Sequence, residues 1–108
     1  MIARVWRASA LAQNVAAYAQ HLRENVFTAL QSLEGYCGAQ LLTRDDGDRT
    51  QIIVMTLWES REAITRFAGD DIERAVIAPE AIALLAEYER TVQHYDVAEE
   101  DRWPPMSL

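Results

Sequence analysis

Apolar positions crowd the middle of the chain. Residues 52–58 read IIVMTLW, without a glycine, proline or charge. A strand with one face in water alternates apolar and polar side chains. Here Ile52 and Val54 serve one face, while Ile53, Met55 and Leu57 serve the other. A strand over residues 51–58 therefore requires cover on both faces. Before it comes a second β-prone run, CGAQLLTR over residues 37–44, and between the two stands Asp45-Asp46-Gly47-Asp48. That tetrapeptide is a turn signal, with Gly47 free to take a positive φ, so the two runs form a β-hairpin.

Upstream, residues 2–8 alternate as a short strand, with Ile2, Arg4, Trp6 and Ala8 on one side and Ala3, Val5 and Arg7 on the other. Ser9 is placed to cap a helix. Leu11, Val15, Tyr18, Leu22, Val26, Leu30 and Leu33 then recur every three or four residues, the stripe of an amphipathic helix that Gly35 ends. His21 stands beside the stripe and is expected in solvent; Val26, Phe27 and Thr28 mark where the helix weakens. After the hairpin, Ser60 caps a helix that buries Ala63, Ile64 and Phe67 and stops at Gly69. Asp70 with Glu73 reads as a capping box opening a helical turn. Pro79 suits the first turn of a further helix, with Ile82, Leu85 and Tyr88 inward. Residues 91–97 form the fourth strand, with His94 and Tyr95 on opposite faces.

This order, β-α-β-β-α-β, closes most simply into an α+β, ferredoxin-like fold with a four-stranded antiparallel sheet and helices on one face. The domain covers residues 1–97, and residues 98–108 form a tail expected to dock on its own or a partner subunit. Covering the second sheet face is worth about 1.5–3 kcal/mol per fully buried side chain. A second copy of the same sheet supplies that cover, so a two-fold homodimer is expected.

Composition narrows the function classes. The 108 residues carry 17 acidic against 10 basic groups, a net charge of -7, and every basic residue is arginine. An acidic, lysine-free surface excludes non-specific nucleic-acid binding and attachment to an anionic membrane. Cys37 is the single cysteine, which removes intrachain disulfides and cysteine-based metal centres, and it is expected as a structural thiol at least half buried. With His21 and His94 the only histidines, a histidine metal triad lacks ligands, and no metal site is expected. No run of 18 apolar residues and no signal-peptide core occurs, so a cytoplasmic location is expected.

Several segments together resemble one family: LEGYCGAQLLTR from Leu33, LWES from Leu57, REAITRFAG from Arg61, DDIERAV from Asp70, PEA from Pro79 and VQHYDV at the end. They are similar to the antibiotic-biosynthesis-monooxygenase-like (ABM) branch of the dimeric α+β barrel superfamily, from about Ile2 to Val97. The resemblance implies a dimeric barrel and a cavity between sheet and helices, with a tryptophan near the end of the third strand lining it; Trp58 matches that position. The polyketide monooxygenases of the family pair it with an asparagine four residues earlier, where Val54 stands. The haem-degrading members carry an asparagine on the first strand, where Trp6 and Arg7 stand. Their iron-binding histidine lies where this chain has Phe67, Ala68 and Gly69, so haem degradation is not expected.

The function this implies is a cofactor-independent monooxygenase acting on a small aromatic or polyketide-like molecule. His94, whose ordinary pKa lies near working pH, is the candidate base, and Trp58 is its catalytic companion. Arg44 is expected to hold the substrate anion, with Tyr95, Trp6 and Phe67 as aromatic walls. The alternative is a non-oxidative ligand-binding, structural or regulatory dimer on the same fold.

Overall fold

The hairpin organises the sheet. In the computed structural model, which describes residues 1–105, β2 (Tyr36–Asp46) and β3 (Arg49–Trp58) run antiparallel around Gly47 at φ 71°. β1 (Ile2–Leu11) lies antiparallel on the other side of β3, with Ile2 opposite Trp58 and Leu11 opposite Arg49. The far edge of β1 is shared by two short strands, β4 (Glu87–Tyr88) and β5 (Gln93–Asp96). The sheet therefore has five strands, in the order β2-β3-β1 with β4 and β5 on the last edge, where four were expected.

β1 is longer than its sequence suggested. Ser9 does not cap a helix; it pairs with Gln51 on one side and Glu87 on the other, because both edges of β1 offer backbone partners to its end. The first helical segment starts with a tight turn at Ala12–Asn14 and continues as α1 (Val15–His21), a wide π turn (Leu22–Phe27) and α2 (Thr28–Leu30). Tyr18, Leu22, Val26 and Leu30 are spaced by four, which drifts about 40° per step on a 3.6-residue helix. A wide turn absorbs that drift and keeps Tyr18, Leu22 and Leu30 buried.

α3 (Arg61–Ala68) starts where Ser60 accepts a hydrogen bond from the Ala63 amide at 3.2 Å. It packs Ala63 and Ile64 onto Ile2, Leu30 and Trp58. Gly35 (φ 91°) turns the chain tightly under it: a Cβ there would lie 2.5 Å from that of Ala63. The bulge between Tyr36 and Gly38 leaves Cys37 exposed, contrary to the burial expected of it.

Residues 69–78 do not form the expected helical turn. The Glu73 amide donates to the Asp71 carboxylate, while Arg74 bridges to Thr91 and the Glu73 carbonyl accepts from the Val92 amide, so this segment is held partly by its own side chain and partly across the chain. α4 (Pro79–Ile82) is also short. Beyond it the amides of Ala86 and Glu89 donate to the Ser9 and Arg7 carbonyls, and Tyr88 joins the sheet instead of a helix. Of the tail, Trp103 is 84% exposed, and residues 106–108, where part of the expected docking falls, lie outside the described residues.

Candidate active site

Between the helix-facing side of the sheet and the helices lies a cavity of about 70 Å³. The pleat decides which strand residues reach it. Arg4 and Trp6 share one face of β1, and their neighbours Val54 and Thr56 share the same face of β3. Leu22, Val26 and Leu30 form the roof, and Phe67 with residues 75–78 closes the side. The wall is largely apolar, interrupted by Arg4, Tyr18, His21 and Thr56.

Arg4 is the unusual member: a charged side chain only 4% exposed. Its guanidinium donates to the carbonyls of Ile72 and Arg74, the latter at 2.8 Å, and meets His94 Nε2 at 3.0 Å. The Phe67 ring centroid lies 5.7 Å from its Cζ, within cation–π range. Burial lowers its pKa to about 10, which leaves it protonated at neutral pH. Among the described residues no carboxylate forms an ion pair with it.

Arginine only donates, so His94 Nε2 accepts and the ring proton sits on Nδ1. Burial holds His94 below the ordinary imidazole value; the Arg4 and Arg61 charges add to this and Glu73 opposes it. His94 does not line the cavity. Its other side borders an open groove formed with Arg61, Ile72 and Glu73.

Trp6 and Phe67 both line the cavity. Trp6 is anchored by its indole N–H, which donates to the Glu89 carbonyl at 2.6 Å. Trp58 is fully buried, 0% exposed, and stands behind Phe67, whose ring stacks on it at 6.0 Å. Its indole N–H donates to Thr56 Oγ1 at 2.8 Å, and Tyr36 meets it edge-on at 5.4 Å. Arg44 and Tyr95 lie elsewhere. Arg44 pairs with Gln51 and Tyr95 with Ala3, which puts both on the outer sheet face. The structure thus brings Trp6, Phe67, Trp58 and His94 around Arg4, and sets Arg44 and Tyr95 apart.

Arg4, Tyr18, His21 and Thr56, the polar residues of the wall, were not singled out from the sequence as site residues. His21 is buried rather than solvated, since it stands at the entry to the wide turn beside Tyr18. The Asn25 amide donates to its Nδ1 at 3.2 Å, leaving the ring proton on Nε2. Burial pushes the Tyr18 hydroxyl well above its ordinary pKa, so it stays protonated. The i, i+3 spacing of Tyr18 and His21 was the available signal. Among the described residues no cluster of three or more metal-ligating side chains occurs, and no helix is long and apolar enough to cross a membrane.

Solved structures share this architecture. A protein described as a putative antibiotic biosynthesis monooxygenase from Bacillus cereus superposes with a TM-score of 0.66 at 15% identity, over 94% of this chain and 95% of its own. MhuD, a haem degrader from Mycobacterium tuberculosis with two haems in its active site, gives 0.60 at 17% identity, over 94% and 100%. A variant of SnoaB, a cofactor-independent oxygenase from Streptomyces nogalater, gives 0.59 at 16% identity, over 96% and 97%. At such identities the likeness is one of fold. Among curated proteins none matches the sequence. The family model for antibiotic biosynthesis monooxygenases matches residues 1–78, most of the chain and all of the sheet–helix framework from β1 to α3, and the protein belongs to that family.

Proposed function

We propose that the protein is a cofactor-independent monooxygenase acting on a small aromatic molecule in the cavity beside Arg4, and that it works as a homodimer. One observation carries this reading: a protonated, buried arginine in a largely apolar cavity of a family member. The chemistry needs a substrate that becomes an electron-rich anion. A methylene flanked by aromatic rings loses a proton to solvent, the carbanion adds dioxygen, and the peroxide anion takes a proton back. The hydroperoxide then loses water, so that CH2 and O2 become C=O and H2O. The nearby guanidinium lowers the cost of forming the anion in a water-poor site.

Trp6 and Phe67 flank the aromatic ring. His94 acts through Arg4, since its accepting nitrogen is already engaged, and Trp58 acts through Phe67 and Thr56 by fixing their positions. Arg44 and Tyr95 lie on the face we assign to the second subunit. A second reading, ligand binding without oxidation, draws support from the size of the cavity. At about 70 Å³ it is well below the roughly 300 Å³ at which sites for drug-sized ligands begin. That volume favours a small substrate over a tricyclic one.

Oxygen uptake by chelator-treated, flavin-free protein tests the proposal, with diarylmethylene substrates from 4-hydroxydiphenylmethane to a tricyclic anthrone. We expect uptake with one product per dioxygen and at least a tenfold loss of kcat/KM in Arg4→Gln, about 1.4 kcal/mol of transition-state stabilisation. Uptake no faster than in protein-free buffer across the series would leave the binding reading in its place.

A further inference from the structure

We infer that the cavity is an anion site whose ligand is a small organic molecule bearing one oxyanion on an apolar or aromatic body. The inference rests on the reading that this cavity is the ligand site, but it does not depend on oxygen chemistry.

A charged group removed from water needs either an opposite charge or complete hydrogen bonding. Arg4 has neither in full. Its partners are two neutral carbonyls and a neutral imidazole. The His94 contact cannot supply negative charge, and protonation of His94 would add a second cation. The ion pairs among the described residues join Arg49 to Glu87, Arg61 to Asp96 and Arg102 to Glu100, all away from Arg4. Of the five N–H bonds of the guanidinium, the contacts to described residues engage three. The others remain for a ligand, on a side chain that itself lines the cavity.

The rest of the wall sets the body of the ligand. Trp6, Phe67, Val54 and Leu22 are apolar, and two of the four are aromatic. Tyr18, held in its protonated form, the His21 ring with its proton on Nε2 and the Thr56 hydroxyl are further donors among the lining residues. Donors and a cation on an apolar wall select against neutral molecules of the same shape, because a neutral ligand leaves Arg4 uncompensated. They select against dianions as well, since only one cation lines the cavity.

Calorimetric titration under nitrogen separates this inference from the oxygenase reading, because no turnover occurs. The probes are benzoate and its neutral counterpart benzamide, with acetate as the ring-less anion. We expect benzoate to bind at least tenfold more tightly than benzamide, and acetate to bind more weakly than benzoate. Arg4→Gln should lose at least tenfold in benzoate affinity and Arg4→Lys should recover part of it. The wild-type comparison of benzoate with benzamide holds even if a substitution at Arg4 unfolds the chain. Equal binding of benzoate and benzamide overturns the inference, as does failure of both benzoate and acetate to bind. Benzoate binding without oxygen uptake overturns the oxygenase reading and leaves the anion site standing.

Discussion

An arginine has no lone pair to offer, so the 3.0 Å contact between Arg4 Nη1 and His94 Nε2 exists only while the imidazole is neutral. The fold enforces that state: burial and the nearby Arg4 and Arg61 charges set the His94 pKa below its ordinary value of 6.5. In the unfolded chain His94 regains the ordinary value and takes up a proton first as the pH falls. Its contribution to stability is therefore complete above the unfolded pKa. It declines as the pH drops through 6.5 toward the lower folded value and then levels off. Thermal melting followed from about pH 7.5 to about pH 5.5 should show this decline. His94→Gln keeps an acceptor for Arg4 but cannot titrate, and its melting temperature should fall less over the same interval. Parallel curves for the two proteins would remove His94 as the source.

At the scale of elements, the seat of α3 is Trp58 at the end of β3, buried against Tyr36 and Phe67. Trp58→Ala should cost about 3–5 kcal/mol in urea unfolding, the range for removing a large core aromatic. Trp58→Phe should retain most of that and most of any turnover, because the position supports Phe67 by packing. The hairpin, the Ser60 cap and the inward residues of α3 were legible because each rests on local chemistry: a glycine turn, a hydroxyl acceptor, an apolar spacing. Ser9, Glu73 and Tyr88 were not, since each exchanges a local helical partner for one distant in sequence. The site divides the same way. Trp6 and Phe67 follow from pleat and spacing. Arg4 had been placed on the correct face, but its burial depends on the carbonyls of Ile72 and Arg74, some seventy positions away, and His21 depends on a wide turn that no single residue announces.

For the whole molecule, the outer face of the sheet is the outstanding feature. Val5, Ile53, Met55 and Leu57 are only half buried there, and Leu42 is 46% exposed. These side chains come from three adjacent strands and share one face of the sheet, and contiguous exposed apolar surface marks a site of contact with another chain. Ile53→Arg, at the centre, should halve the mass measured by sedimentation at micromolar concentration while the helical signal persists. An unchanged mass would remove this face as a subunit contact. The core behind the sheet falls into two parts. One, around Ile2, Trp58, Ala63 and Ile64, is solid; the other, around Trp6, Tyr18, Leu22 and Ala81, surrounds the cavity, and Leu30 belongs to both. That division gives the chain evolutionary latitude. Substitutions in the hollow half change the shape and charge of what is held, while the solid half continues to anchor β1, β3 and α3. One framework can thus pass from one ligand to another by single steps that leave its anchor in place.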